Sequence, residues 1–196
     1  MDLSGSRLRN NGFTLVELLA AIFIAAILMA GLYSVFVSQQ VAFSAQEQIA
    51  EMNQNIRAVM DLMTREIRLA GYKKAGTTFN GIATAQPSTM RILADLDQNG
   101  DILGPNEDIT YSHDAIALQV WRERNTVNIL LADNITNLTF VYTLADGTTT
   151  SSPADLAAIR KVTISITART ASPDLATGQY RTLTLTSDVT PRNLAS

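Results

Sequence analysis

The sequence predicts an α+β fold, in which one long amino-terminal helix packs on an antiparallel β-sheet domain. Two observations lead to this prediction. From Phe13 to about Ala70, apolar residues recur at helical spacing. Beyond Gly71, apolar and polar residues alternate, which is typical of strands with one buried face. The apolar stripe of the helix and the inner faces of the strands would cover each other in a two-layer domain.

The first half of the predicted helix is almost entirely apolar. The run from Phe13 to Val37 holds about 25 residues and would extend about 37 Å, which is enough to span a bilayer with some tilt. Arg7 and Arg9 precede the run and would keep the amino terminus in the cytoplasm. The sequence therefore predicts a single-pass membrane protein whose carboxyl-terminal domain lies outside the cytoplasm.

The second half of the predicted helix is amphipathic. Charged residues such as Glu51, Asp61 and Arg65 occupy one face, and an apolar stripe occupies the other. Gly71 and the lysines that follow it are typical of the carboxyl end of a helix. The stripe consists of Ile49, Met52, Ile56, Val59, Met60, Met63, Ile67 and Ala70.

Alternating segments then predict consecutive antiparallel strands. The polar loop 146–153 interrupts them, and Ser152, Pro153 and Asp155 have the composition of the start of a short helical turn. The first expected strand is Thr89–Ala94, and the inner residues of the others are Ile116, Leu118 and Val120; Val127, Ile129 and Leu131; Leu138, Phe140 and Tyr142; Val162, Ile164 and Ile166; Leu183 and Leu185.

One acidic residue, Glu17, lies near the start of the apolar run, in the segment Gly12–Leu19. A carboxylate in hydrocarbon is costly, and a chain that keeps one there usually provides it with a partner. The function of this segment therefore depends on which cation meets Glu17.

The short polar and basic segment that ends at Gly12, followed by the apolar run with Glu17, resembles the leader of a type IV prepilin. The resemblance implies that prepilin peptidase cleaves between Gly12 and Phe13, that the new amine of Phe13 is N-methylated, and that Glu17 is required for assembly. A methylated amine keeps its positive charge. The amine of one subunit would therefore neutralise Glu17 of a neighbour when both are buried.

This interpretation divides the chain into three parts. Residues 1–12 would be the leader, residues 13–40 the transmembrane and assembly half of the helix, and residues 41–196 an extracytoplasmic pilin-like domain that includes the second half of the helix. An ordinary secretory signal fits less well, because its apolar core spans only about 7–15 residues. A plain signal anchor stays open, but it has no use for Glu17 or for Gly12 at this spacing.

Two further segments narrow the resemblance. The run Asn55–Tyr72 is similar to PilW-type minor pilins and to the related J-type pseudopilins of type II secretion, and Thr190–Leu194 is similar to the PilW type. This implies a low-abundance subunit that helps to start a type IV pilus or lies near its tip. Its implied partners are other minor and major pilins, prepilin peptidase and the pilus assembly platform.

The implied location is the bacterial inner membrane, and the pilus after assembly. Two alternatives stay open. The chain could be a J-type pseudopilin of type II secretion, or a membrane-tethered extracytoplasmic domain with a binding or adhesive role that never enters a filament.

A second chemical feature is the acidic segment Asp95–Asp101, in which oxygen-bearing side chains recur at every second residue. Its spacing and its glycine match the first half of an EF-hand calcium loop. The twelfth position is Asn106 instead of glutamate, so Glu107 or Asp108 would have to close the site. The expected ligands are Asp95, Asp97, Asn99, Asp101, Glu107 and Asp108.

No lysine or arginine occurs between Ile92 and Val120, so mutual repulsion would oppose a compact acidic loop without a cation. We therefore expect a structural calcium ion, since calcium prefers many oxygen ligands. The simpler alternative is a solvated turn, because aspartate, asparagine and glycine favour turns in any protein.

Other functions find little support in the composition. The chain has no cysteine, and its net charge of −3 comes without the basic stripe that nucleic-acid binders carry. A nucleophile needs a base placed beside it, and the single histidine, His113, has no recognisable partners in the sequence. We therefore expect neither an enzyme nor a nucleic-acid-binding protein.

Overall fold

The computed structural model describes residues 13–175 and 177–194. By its internal contacts the chain divides into two units, the first ending at Ser44 and the second beginning at Ala45, and the long helix runs through this boundary. The elements are α1 (Leu15–Leu69), β1 (Ile82–Ala85), β2 (Thr89–Leu93), β3 (Asp108–Asp114), β4 (Gln119–Arg124), β5 (Val127–Ala132), β6 (Ile135–Leu144), β7 (Thr149–Thr150), a 3-10 turn (Leu156–Ala158), β8 (Ile159–Arg169) and β9 (Thr182–Val189).

The first unit contains the apolar part of α1. Every residue from 13 to 40 is exposed, although most of these side chains are hydrophobic. By length and composition this part of α1 meets the requirements of a membrane-spanning helix. An exposed apolar helix of this kind fits the predicted membrane anchor.

The second unit contains two antiparallel sheets. The first sheet is a simple meander in the order β1-β2-β3-β4-β5, and the second has the order β7-β6-β8-β9. The second half of α1 packs against them, because its apolar stripe and the inner strand residues form one buried cluster. The buried residues of α1 are Met52, Ile56, Val59, Met60, Met63 and Ile67. The predicted α+β fold, a long helix on antiparallel sheet, is confirmed.

Four predicted strands are present. The strand β2 ends one residue earlier than expected, and β6, β8 and β9 contain the inner residues expected for them. On β6 and β8, the predicted inner residues are all buried. The helical turn expected after the polar loop is the 3-10 turn, where the side chain of Asp155 accepts a hydrogen bond from the amide of Ala157. Within the polar loop itself, β7 pairs with β6.

The strand predicted through Ile116, Leu118 and Val120 is correct only in its second half, where Val120 is buried on β4. Residues 115–118 form a turn in which Leu118 has a positive φ of 56°, and β4 begins only at Gln119. Sequence reasoning also missed β1 and β3. In β3, Ile109 and Tyr111 alternate inward as a strand requires, but the acidic and polar residues around them made the segment resemble a loop.

The strand β5 was predicted in the right place with the wrong burial. Val127 and Ile129 were expected on the inner face, yet they are 55% and 36% exposed. The cause is the topology, because β5 is the edge strand of its sheet. Near its end, Leu131 packs against the core and Ala132 is buried.

Candidate functional site

At the start of α1, Glu17 and Thr14 bind each other reciprocally. The amide and the hydroxyl of Thr14 both donate to Oε2 of Glu17, at 2.9 Å each. In return the amide of Glu17 donates to the Thr14 hydroxyl oxygen at 3.2 Å. This is a capping box, which satisfies amides that the first helical turn leaves without partners.

The sequence signature of this box is Thr-x-x-Glu, and sequence reasoning did not use it. It gives Glu17 a local role, since the carboxylate holds the end of the helix in place. The box leaves the negative charge uncompensated, because within the described residues Glu17 forms no ion pair. All of the described residues around it, from Phe13 onward, are exposed and largely apolar.

The predicted processing site lies at the limit of the described chain. Phe13 is described and is 84% exposed. Gly12 lies outside the described residues, as does the rest of the predicted leader.

In the acidic loop, the structure brings three of the predicted ligands together. One carboxylate oxygen from each of Asp95, Asp97 and Glu107 lies within 4.8 Å of the other two. Asp95 and Glu107 are buried and Asp97 is exposed. The arrangement joins the beginning of the loop to its end, as a single ion would require.

The amides of the loop organise the carboxylate of Glu107. Its Oε1 accepts from Leu96 at 2.7 Å and from Asp97 at 3.2 Å, and its Oε2 accepts from Gly104 at 2.6 Å. A β-carbon at Gly104 would lie 2.5 Å from Oε2, so only glycine permits this approach.

The other three predicted ligands make different contacts. Asp108 lies on β3 and forms an ion pair with Arg91 across the sheet, with contacts of 2.8 and 2.6 Å. Asp101 lies outside the carboxylate cluster, and its side chain accepts from the amide of Leu103. Asn99 is exposed and binds within the loop, since its Oδ1 accepts from the amide of Asp101 and its Nδ2 donates to Asp97.

An ion pair between buried Arg122 and partly buried Glu66, which the sequence did not predict, holds the second half of α1 to the first sheet. Glu66 of α1 accepts from Nε of Arg122 at 3.1 Å and from its Nη2 at 2.7 Å. The hydroxyl of Tyr111 also donates to Glu66. Nη2 of Arg122 further donates to the side-chain oxygen of Asn106, next to the carboxylate cluster, at 2.9 Å.

The charges of this ion pair stabilise each other. Burial opposes the charge of the Arg122 guanidinium, but the Glu66 carboxylate outweighs that effect and raises the pKa of Arg122. Burial, reinforced by the neighbouring Glu66 charge, also raises the pKa of Tyr111, so its hydroxyl keeps the proton that it donates. The sequence did contain a signal: Arg122 occupies an inward position two residues after buried Val120, and a buried guanidinium needs an acidic partner.

The single histidine has a structural partner. His113 lies near the end of β3, and its Nε2 is 2.9 Å from the carbonyl oxygen of Ile135. This contact ties the first sheet to the start of β6.

Two protein-family models match the chain, one at its amino terminus and one over most of the remaining residues. Residues 7–33 match the prokaryotic N-terminal methylation motif, a range that includes Gly12, Phe13 and Glu17. Residues 45–189 match the family described as prepilin peptidase-dependent protein B. The chain belongs to this family. No individual curated protein is similar enough to the chain to count as a match.

Membership of the prepilin peptidase-dependent protein B family identifies the chain as a type IV pilin-like protein that prepilin peptidase processes. The prepilin resemblance of the amino terminus is thereby confirmed, and the apolar part of α1 fits a membrane anchor. The family match covers the two sheets and the amphipathic half of α1, so the amino-terminal motif and the sheet domain support the same assignment independently.

Proposed function

We propose that the chain is a minor subunit of a type IV pilus, which helps to start filament assembly or lies near the tip. The observation that carries this proposal is Glu17, a carboxylate on an exposed apolar helix that has no cationic partner among the described residues. A charge placed in this way favours a state in which another molecule neutralises it. The proposal assigns no catalytic step to the chain.

In this mechanism, prepilin peptidase cleaves after Gly12 and the amine of Phe13 becomes the methylated amino terminus. The amine remains an ammonium, which lies beside Glu17 of the neighbouring subunit once the apolar helices pack together. Two charges that would each be costly in an apolar environment are then buried as a pair. Since neither charge has this partner in a free subunit, burial favours the assembled state.

The likeness of Asn55–Tyr72 and Thr190–Leu194 to PilW-type sequences supports a minor subunit over a major one. The proposed partners follow from that position: other minor and major pilins, and the assembly platform of the inner membrane. A J-type pseudopilin remains the second candidate, because the same run Asn55–Tyr72 resembles both groups. Co-purification from cross-linked membranes would separate the two, with pilus subunits expected and secretion pseudopilins as the contrary result.

Variants of Glu17 test the mechanism directly, because charge and capping can be separated. Glu17→Gln keeps an oxygen that can accept the Thr14 hydrogen bonds but removes the charge. Thr14→Ala keeps the charge and removes the cap. If the ammonium–carboxylate pair drives assembly, Glu17→Gln falls to background in sheared pilus fractions, whereas Thr14→Ala retains most of its incorporation.

Immunoblots of pilus and membrane fractions from the same cells provide the measurement, with equal membrane levels of each variant as the control for expression. Incorporation of Glu17→Gln at the wild-type level would show that the residue serves only as a helix cap, and the charge mechanism would be wrong. The mass of the amino-terminal peptide is the second test. The expected mature chain begins at methylated Phe13, and recovery of an unprocessed chain from cells with active peptidase would contradict the proposal.

A further inference from the structure

We infer that the loop from Asp95 to Glu107 binds a structural calcium ion through the carboxylates of Asp95, Asp97 and Glu107. This inference does not depend on the assembly role of the amino-terminal helix. It includes fewer carboxylate ligands than the sequence predicts, because Asp101 and Asp108 lie outside the carboxylate cluster. The loop departs from EF-hand geometry in that the closing carboxylate comes one residue after the twelfth position.

The first reason is charge. Asp95 and Glu107 are 0% and 1% exposed, and their cluster with Asp97 places three carboxylates within 4.8 Å of one another. Across the described part of the chain, no lysine, arginine or histidine side chain forms an ion pair with any of the three. Buried carboxylates without a compensating charge are strongly unfavourable. Even Glu66, which is only partly buried, forms an ion pair with Arg122.

The second reason is an unsatisfied oxygen on Asp95, one of the three clustered residues. Oδ2 of Asp95 accepts hydrogen bonds from the amides of Lys74 and Gly100, at 3.2 and 3.1 Å. Its Oδ1 is buried and has no hydrogen-bond donor. A buried acceptor without a partner carries the full cost of desolvation, so a bound cation at Oδ1 would remove that cost.

The loop is already held in the shape that an ion would need. Three amides fix the Glu107 carboxylate, and Oε2 accepts only one of these bonds, which leaves a lone pair available for an ion. An exposed ligand such as Asp97 can complete the site from the solvent side. The competing explanation is that the amides alone stabilise the loop, and the experiment below distinguishes the two.

The ligand chemistry favours calcium. All of the candidate ligands are oxygens, which hard cations prefer over nitrogen and sulfur ligands. Two oxygens on opposite sides of one ion can be about 4.6–5.2 Å apart for calcium but only about 4.0–4.2 Å apart for magnesium. Oxygens that all lie within 4.8 Å of one another can bind one ion of either size, so the preference for calcium rests on the ligand set. Calcium accepts about six to eight oxygens from a flexible loop, whereas magnesium demands near-ideal octahedral geometry.

A bound ion would also fasten the segment that follows α1. The amide of Asp95 donates to the carbonyl of Tyr72 at 2.7 Å, and the amide of Lys74 donates to Oδ2 of Asp95. Asn106, directly before Glu107, accepts from Arg122. Fixing the carboxylates would therefore stabilise the carboxyl end of α1 and the first sheet together.

The test uses the full chain, purified in detergent and treated with EDTA, and titrated with calcium chloride in a calorimeter and in melting experiments. We expect saturable binding with a Kd of about 10⁻⁴ to 10⁻³ M, the range of extracellular calcium modules. At a calcium concentration about 100 times the Kd, Tm should rise by about 5–10 °C. Absence of binding heat and of any Tm difference between calcium and EDTA would overturn the inference, as would an equal response to magnesium.

Two variants with the same change of charge provide the matched comparison. In Asp97→Asn and Asp101→Asn, the new side chain can still accept the local amide bond from Asn99 or Leu103. We expect Asp97→Asn to weaken calcium binding on the order of tenfold or more, and Asp101→Asn to bind like the wild type. In EDTA, Asp97→Asn should melt at or above the wild-type temperature, because it relieves repulsion, and in calcium it should melt below. Loss of stability of equal size in both conditions would overturn the inference.

Discussion

Two glutamates on α1, one in each unit of this protein, differ in whether the fold supplies a cation for the carboxylate. Glu66 is partly buried and is bound by Arg122 and Tyr111 from the neighbouring sheet. Glu17 is exposed on an apolar helix, and within the described residues it is bound only by Thr14 of its own first turn. One charge is compensated inside the fold, and the other is not.

The difference predicts which property of the protein each glutamate affects. Removing a compensated charge leaves its buried partner alone, so the free energy of unfolding should fall. Removing an uncompensated, exposed charge leaves nothing unpaired in the domain, so stability should be unaffected and any effect should appear in contacts with other subunits. Variants of the two glutamates measure whether stability and assembly depend on different residues, and the largest change in stability is expected at Glu66.

The strongest test is Glu66→Gln measured beside Glu17→Gln. The first variant leaves the guanidinium of Arg122 buried without a counter-charge, and we expect the domain to lose about 3 kcal/mol of stability. The second should unfold like the wild type while failing to assemble. Denaturant unfolding, followed by the fluorescence of Trp121, the only tryptophan, provides the measurement. A stability loss in Glu17→Gln equal to that in Glu66→Gln would contradict the separation.

The control for this test replaces both charges. In the double variant Glu66→Leu with Arg122→Met, no buried charge is left alone, since well-packed apolar residues can take the place of a buried ion pair. We expect it to recover part of the stability that Glu66→Gln loses. A double variant that loses the sum of both single effects would show that the two residues contribute separately rather than as a pair.

A smaller effect is expected from Tyr111→Phe. This variant removes the hydroxyl that donates to Glu66 and keeps both contacts from Arg122. Loss of one hydrogen bond to a charged group should cost about 1.5–2 kcal/mol, measured by the same unfolding experiment. If the loss equals that of Glu66→Gln, the hydroxyl rather than the guanidinium is the main partner of the carboxylate.

Periodicity predicted most of this fold, because burial follows directly from side-chain spacing where an element has one covered face. Met52, Ile56 and Met63 lie in the core as their spacing required, and so do Ile164 and Ile166 of β8. The same logic failed at Leu118, where a positive φ ends the alternation, and at Ile129, whose strand lies at a sheet edge. Turn conformation and strand order depend on contacts between residues distant in sequence. The alternation of apolar and polar residues carries no information on such contacts.

The candidate sites were predictable to different extents for the same reason. The prepilin motif is contiguous, so Phe13 and Glu17 could be identified by local spacing alone. In the acidic loop, spacing indicated a ligand-rich segment but could not separate Glu107, which folds back to Asp95, from Asp108, which pairs with Arg91. The partner of Glu66 is Arg122 on β4. Spacing along the sequence does not show which residues of two different elements lie close together.

The smallest predicted effect concerns Asp188 on β9, an exposed carboxylate that has neighbours to bind it. Thr163 donates to its Oδ1 at 2.6 Å and Lys161 donates to its Oδ2 at 2.9 Å. These contacts, the Thr163 hydrogen bond foremost, lower the pKa of Asp188. A lowered pKa means that the ionised form stabilises the fold above the ordinary carboxyl pKa of about 3.9, and that this contribution disappears as the pH falls through the folded-state value.

Asp188→Asn should therefore melt slightly below the wild type at neutral pH, and the gap between their melting temperatures should close below about pH 4. Melting curves across this range would measure the effect, with Glu47→Gln as the control. Glu47 is exposed, and its side chain makes no hydrogen bond or ion pair within the described chain. A gap that stays constant with pH would show that ionisation of Asp188 contributes nothing to the stability of the fold.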